Sequence, residues 1–265
     1  MDAVPNGSRQ IRSVVKAIHI LECLSEARRP LSLDELARRT GYPKSTLHGL
    51  LCTMVPSAVV EQSPDDGKYR LGIRLFEFGC VFSSTRSVVT ASRGIMQHIA
   101  FQTDESICLS TLDRNHVMVL DQSESSSAYH VASEPGARLP LHCTSQGKVF
   151  LAYQGSSFLN RALDNGLQAY TTHTICDRNA LKQDLEQTRK QGFAIENGEF
   201  RVGLRSVAAP IFDSDGEVRY ALAIIGMFRR VQSEEFEQAT ALVIEGAGKI
   251  SSILGYRRNP LCMSF

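Results

Sequence analysis

Between Leu31 and Leu71 the spacing of apolar residues changes twice, and each change marks an element. Ser32 followed by Glu35 is a capping box, which opens a short helix with Leu33, Leu36 and Ala37 on one side. Thr40 to Pro43 break the pattern, and Gly41 can take the left-handed conformation that ends a helix. From about Lys44 a second helix carries Leu47, Leu50, Leu51 and Met54, spaced as one buried stripe. Val59 to Leu71 then switches to a hairpin pattern, with Pro64-Asp65-Asp66-Gly67 as turn chemistry. Helix, glycine turn, helix and hairpin together predict a winged helix-turn-helix. Upstream, Ile11 to Ser25 forms an amphipathic helix with Ile11, Val14, Ile18 and Leu21 as its apolar face, preceded by a loose arm over residues 1–10.

Downstream, residues 72–86 are helical in pattern, with Ile73, Phe76 and Cys80 on one side; this predicts a linker helix and dimer contact. A helix from Val88 to Thr103 opens a second domain, after which strands and helices mix. Strands are expected over Ile107–Leu112, Val117–Leu120, Leu139–Thr144, Phe193–Glu196, Ser206–Phe212 and Tyr220–Phe228. Helices are expected over Ser145–Tyr153, near Ser157–Asn165, from Asp177 to Gln191, and from Ser233 to about Leu254. Antiparallel hairpins flanked by helices give an α+β class. The expected division is a winged helix-turn-helix over 1–72, a linker helix over 73–87, and a sensor domain over 88–265.

The outward side of the second helix carries Ser45, His48, Gly49 and Cys52, flanked by Lys44 and Thr46. Small polar groups and one imidazole suit the major-groove floor of double-stranded DNA. Arg38, Arg39, Lys68 and Arg70 are the candidate phosphate contacts. Charge agrees weakly with this end as the DNA-binding one. Residues 1–75 hold eleven Lys and Arg against eight Asp and Glu, while the whole chain of 265 residues has a net charge of only +1. Seven cysteines without CxxC spacing argue against zinc and against a disulfide framework, so no metal or cofactor is expected. No apolar run is long enough to span a bilayer and no signal-peptide pattern precedes the first helix, so a cytoplasmic protein without a membrane partner is expected.

Four segments in order carry a resemblance to a known family: RRPLSLDELARRTGYPKSTLHGLL, DDGKYRLGIRLFEFG, LPLHCTSQGKVFLA and GFAIENGEFRVGLRSVAAPIFDSDGEV. The chain resembles the IclR-type bacterial transcriptional regulators from about Val14 to Gly255. The resemblance implies a C-terminal GAF-like effector domain, a homodimer or homotetramer, a near-palindromic operator, and control by a small metabolite, often an acid from carbon catabolism. It also implies a pocket. Backbone donors would come from Ser145, Gln146 and Gly147 at a helix N-terminus, which favours an anion. Polar side chains would come from Glu196 and Ser206. Ala223 and Ile225 stand where the family often has serines, so this wall turns apolar, with Leu109 and Val119 beside it. That substitution points to an organic acid with an apolar or aromatic body. Two departures touch the DNA end: Gly49 replaces a common arginine, and Pro56-Ser57-Ala58-Val59 replaces a charged turn.

Two other function classes stay open. Cys143 could be a redox switch or a thiol nucleophile, although its neighbour His142 would point away from it if both lay on a strand. A small-molecule enzyme with an appended DNA-binding domain is the second. Glu196 and Glu199, three apart in a strand-like stretch, would face opposite ways and form no acid–base pair. His116, His130 and His173 lack metal-ligand spacing, and Gly192, Gly198 and Gly203 lack a phosphate-loop context.

Overall fold

The computed structural model describes residues 11–85, 87–124, 134–164 and 166–257. The arm expected over residues 1–10, together with His130 and Cys262, lies outside them. The chain divides into two compact units, Met1–Thr85 and Arg86–Phe265.

The first unit begins with α1 (Arg12–Ala27), α2 (Leu33–Thr40) and α3 (Lys44–Met54). Ser32 caps α2 as half of a complete capping box with Glu35, and Gly41 ends the helix at φ +71°. Leu47, Leu51 and Met54 of the predicted stripe fill the core with Leu36 of α2, and Leu50 packs against it half-buried. The inner face of α1 is not the predicted one. Ile20, Cys23 and Leu24 are buried, whereas Ile11, Val14 and Ile18 are 68%, 52% and 51% exposed. This helix is apolar on two sides; α2, α3 and the hairpin take the side carrying Ile20 and Leu24.

The wing is the antiparallel pair β1 (Val60–Gln62) and β2 (Tyr69–Leu71). Leu31 adds a one-residue antiparallel bridge on the other edge of β2, exchanging backbone hydrogen bonds of 2.9 and 2.8 Å with Tyr69. A one-residue bridge has no periodicity, so the sequence pattern could not show it. Gly72 closes the wing where a Cβ would come within 2.1 Å of the Ala58 carbonyl oxygen, so no larger residue fits. The next helix, α4 (Arg74–Thr85), leaves Phe76 and Phe78 exposed.

The second unit is a six-stranded antiparallel sheet in the order β5-β4-β3-β8-β7-β6, formed by β3 (Ser106–Asp113), β4 (His116–Ser123), β5 (Arg138–Leu139), β6 (Ala194–Asn197), β7 (Arg205–Phe212) and β8 (Val218–Gly226). Helices α5 (Ser87–Thr103) and α9 (Glu234–Ile253) cover one face. Helices α6 (Ser145–Tyr153), α7 (Ser156–Asp164) and α8 (Arg178–Gln191) pack on the other. This is the expected α+β architecture of a helix-flanked antiparallel sheet.

Alternation then sorts the strand residues. Ile107, Leu109, Val207, Leu222 and Ile224 join the core under α5 and α9. Cys108, Val119, Ala208, Ala221 and Ala223 face α6 and α8. Leu109 is therefore on the opposite face from Ala223: the residue paired with Ala223 is Cys108, one position away. A register read one residue off reverses the face of every side chain in a strand. The expected extended stretch over Leu139–Thr144 is also shorter than predicted. Only Arg138–Leu139 pairs, and residues 141–144 form bends and a turn leading into α6.

Candidate functional site

On α3 the residues Ser45, His48, Gly49 and Cys52 are all exposed on the side away from the buried stripe, and Thr46 is half-buried. Pro43, at the N-cap, sets the entry into this helix. His48 and Cys52 stand one turn apart, with Cys52 Sγ 3.6 Å from His48 Nδ1. Three of the cations expected at the DNA, two of them candidate phosphate contacts, already hold carboxylates. Lys44 pairs with Asp34 at 2.6 Å, Lys68 with Asp66 at 2.9 Å, and Arg70 with Glu61 at 2.8 Å. The Lys68 ammonium holds the Asp66 carboxyl down at about 2. Sequence spacing did not show these pairs, because Lys44–Asp34 and Arg70–Glu61 depend on the folded turn and hairpin. Exposed pairs are weak, so a phosphate can replace the carboxylate at small cost. Arg38 and Arg39, in the last turn of α2, are exposed cations beside the same turn.

In the second unit, a small cavity opens at the N-terminus of α6, on the sheet face away from α5 and α9. Leu139, Thr144, Gln146, Glu196, Phe200, Arg201, Leu204, Ser206 and Ile225 line it, and its volume is about 30 Å³. Gln146, Glu196, Ser206 and Ile225 are thus brought together as the pocket expectation required. Ala223 and Val119 lie on the same sheet face but in the adjoining core, and Leu109 is excluded by its register. Phe200, Arg201 and Leu204 went unpredicted. They sit on the irregular segment between β6 and β7, where no periodicity operates.

The helix end that was expected to hold an anion is partly self-satisfied. Thr144 caps α6, and its Oγ1 accepts from Gly147 N–H at 3.2 Å. Gly147 itself is required by packing, since a Cβ there would lie 2.2 Å from the Leu141 carbonyl oxygen. A side-chain donor stands beside this helix end. Ser145 Oγ donates to Gln146 Oε1 at 3.3 Å and turns the amide, while Gln146 Nε2 is buried with no partner.

Glu196 is also committed. Its Oε1 accepts from the backbone N–H of Glu199 at 2.6 Å and of Phe200 at 3.2 Å, and its Oε2 accepts from Ser206 Oγ at 3.0 Å. Burial pushes its carboxyl above the usual range against the pull of these donors. Glu196 and Glu199 do not point apart as a continuous strand would place them. β6 ends at Asn197, Gly198 turns at φ +71°, and both carboxyls end up buried. Glu199 meets Lys148, whose side chain is only 1% exposed: the ammonium donates to Glu199 Oε1 at 2.6 Å and to the Ile195 carbonyl at 3.0 Å. Asp184 Oδ2 lies 3.1 Å from the same nitrogen, near enough for charge attraction but without hydrogen-bond alignment. Burial raises the Glu199 carboxyl, with the Lys148 charge opposing.

His142 and Cys143 lie in the turn before α6, so the strand argument that separated them does not apply. His142 Nε2 bonds instead to the Gln168 carbonyl oxygen at 2.9 Å. Cys143 is fully buried, and desolvation with two neighbouring carboxylates pushes its thiol up to about 12. A buried thiol held protonated in this way is a poor nucleophile near neutral pH.

Two family descriptions match this chain in sequence: the IclR helix-turn-helix domain over residues 13–64, and the bacterial transcriptional regulator IclR C-terminal domain over residues 81–252. The chain belongs to the IclR family of bacterial transcriptional regulators. Among its relatives, the transcriptional repressor IclR of Escherichia coli K12 is 31% identical over 252 residues, covering 94% of this chain and 92% of the relative. The regulator KdgR of the same strain is 32% identical over 251 residues, covering 94% and 95%. A crystal structure of an IclR transcriptional regulator from Alicyclobacillus acidocaldarius superimposes with a TM-score of 0.82 at 28% identity, covering 92% of this chain and 99% of that one. An IclR homologue from Microbacterium hydrocarbonoxydans, complexed with 4-hydroxybenzoate, gives 0.83 at 25% identity, covering 91% and 98%. This IclR-family member is accordingly a DNA-binding transcriptional regulator, with its helix-turn-helix in the first unit and an α+β domain in the second.

Proposed function

We propose that this regulator is a cytoplasmic repressor of a catabolic operon, released or retained at its operator by an organic acid with an apolar or aromatic body. The observation that carries the effector assignment is the unpartnered Gln146 Nε2, a buried donor on a residue that lines the cavity together with apolar Leu139, Phe200, Leu204 and Ile225 and polar Thr144, Glu196, Arg201 and Ser206. A buried donor without a partner is uncommon, and an acceptor on a ligand would satisfy it. The Arg201 guanidinium, over the Phe200 ring at 5.5 Å, supplies a cation at the rim for the carboxylate. Hydrocarbon at Ile225 favours an apolar body over a two- or three-carbon acid. The 4-hydroxybenzoate complex of the Microbacterium relative supports this class. Repressors among the relatives support the sign of control.

On the DNA side, Ser45, Thr46 and His48 reach base edges, and Arg38, Lys44, Lys68 and Arg70 reach phosphates. The exposed Phe76 and Phe78 of α4 support self-association, as a homodimer or homotetramer reading a near-palindromic operator. An enzymatic role is disfavoured by the state of Cys143 and His142. Among the described residues, no group of three His, Cys, Asp or Glu side chains is placed to hold a metal.

A gel shift on the full chain with operator DNA tests this reading. Aromatic acids should change the shift, and glyoxylate or pyruvate should not; the reverse pattern overturns the effector class. In the same assay His48→Ala should cost about 1–3 kcal/mol on the operator and relax base preference. Intact affinity and preference in that variant would remove His48 from the groove.

A further inference from the structure

The cavity poses a problem of size. Sites for organic ligands run to roughly 300–1,000 Å³, and this one encloses about 30 Å³, room for a water or two. Most of its walls cannot yield. Ser206 and Ile225 sit on paired strands, and Gln146 is on a buried helix. Phe200, Arg201 and Leu204 belong to the connection between β6 and β7, which crosses the cavity mouth. Its ends are pinned together by Gly198 N–H donating to the Leu204 carbonyl at 2.9 Å. Both Gly198 (φ +71°) and Gly203 (φ +84°) are left-handed, so the segment 198–203 is bounded by two residues that can change conformation without steric cost. Between them Val202 is 79% exposed.

The fastenings of this segment come from the protein interior. Glu196 grips it from below through the Glu199 and Phe200 amides. Lys148 grips the Glu199 side chain from α6, and Asp184 on α8 shares that charge. From outside, Thr174 Oγ1 donates to the Glu199 carbonyl at 2.6 Å and Thr171 Oγ1 to the Gly198 carbonyl at 2.7 Å. Four groups converge on Glu199, a residue with no place on the cavity wall: the Glu196 carboxylate, the Lys148 ammonium and the Thr174 and Thr171 hydroxyls.

We propose that residues 198–203 are a strap that lifts to admit the effector, with Glu196 and the Lys148–Glu199 pair as its latches. Glu196 is then a positioning residue: it holds the strap rather than the effector, and the ligand meets Gln146, Phe200, Arg201 and Ile225. Donors from the protein itself occupy the Glu196 oxygens and offset part of the repulsion that a buried carboxylate would exert on an acidic ligand. The proposal rests on the effector reading of this cavity, but its test does not.

Cys143 is the built-in reporter. It is fully buried and close enough to Glu196 and Glu199 to feel both charges, so reagent reaches it only when that region opens. Cys108, equally buried on β3, reports opening of the sheet as a whole. The full chain would be labelled with iodoacetamide, and each cysteine followed by peptide mass spectrometry. Glu196→Ala should speed Cys143 labelling at least tenfold and leave Cys108 within twofold. Glu196→Gln, which keeps an oxygen acceptor for both amides, should restore most of the protection. Thr174→Val, a milder change outside the cavity, should give a smaller acceleration in the same direction. Amide exchange at Glu199 and Phe200 should rise in step with Cys143 labelling. Unchanged Cys143 labelling in both Glu196→Ala and Thr174→Val overturns the proposal. So does acceleration of Cys143 and Cys108 together in Thr174→Val. Adding 4-hydroxybenzoate as the probe separates the two readings. Slower Cys143 labelling supports both; variants that unlatch the strap without any protection by the probe leave the strap standing and count against the effector class.

Discussion

One face of the six-stranded sheet is sealed with hydrocarbon; the other face buries charge. Under α5 and α9 the packing is Met96, Ile99, Leu109, Val207, Leu222, Ile224, Val243 and Ile250. Gly246 lets the two helices close on the sheet there: a Cβ would meet Ile99 Cδ1 at 2.7 Å and Leu222 Cδ2 at 3.0 Å. Under α6 and α8 the same strands meet Ser110, Gln146, Lys148, Glu196, Glu199 and Ser206, all buried. A buried ion pair stabilises little after its desolvation cost, so stability does not explain the second arrangement. The difference separates a face that holds the domain together from a face that positions a site. It also explains why the cavity lies where it does, at the helix end where the polar groups gather.

The largest test of this contrast is Leu222→Ala. Leu222 is fully buried on the sealed face, so truncation should destabilise the protein by about 2–5 kcal/mol in denaturant unfolding. The remaining folded protein should bind an aromatic acid as before. A matched loss of affinity would mean that the sealed face also shapes the site. Ile225→Ser, on the polar face and only half-buried, should do the opposite. Calorimetric titration should show affinity for an apolar effector falling by about 1–3 kcal/mol, with a smaller change in stability. No change in affinity would place that side chain outside the site.

Local signals and tertiary choices differed in how far sequence alone could be read, for a physical reason. The capping box at Ser32, the Gly41 stop and the Leu47–Met54 stripe are local signals, and each is realised at its predicted position. The Asp177 and Ser233 caps fall in the same class. What depended on tertiary choice was less legible. On α1 either of two apolar sides could have been buried, and periodicity could not rank them. On β3 the face of Leu109 depended on register with β8, which a single strand does not encode. At the cavity, Gln146, Glu196, Ser206 and Ile225 could be anticipated through family resemblance. Their roles could not, because the Glu196 partners are amides on a loop and the Lys148–Glu199 pair spans 51 positions. Lys148 in particular reads in sequence as an ordinary helix lysine. Only the fold shows it 1% exposed, hydrogen-bonded to Glu199 and the Ile195 carbonyl and ion-paired with Asp184.

A final, smaller effect sits at the border of the sealed face. By strand alternation Glu105 belongs with Ile107 and Leu109, yet it is a carboxylate. Its carboxyl lies against Gly226, so close that a Cβ on that glycine would meet it at 2.2 Å. Desolvation, reinforced by the charges of Asp104 and Glu235, raises this carboxyl from 4.5 to about 7. A raised carboxyl pKa means that the folded state holds its proton more tightly than the unfolded chain does. The favourable contribution is therefore complete below pH 4.5 and is lost as pH rises to about 7. The displacement caps the effect at about 3 kcal/mol, and partial solvation lowers it to roughly 1–2 kcal/mol. Glu105→Gln, which mimics the protonated acid, should raise the melting temperature at pH 8 and leave it unchanged near pH 4.5. Thermal unfolding of both proteins across that range decides it. Equal melting temperatures at pH 8 would mean that the charge is solvated, and that the sealed face tolerates a carboxylate at its edge without cost.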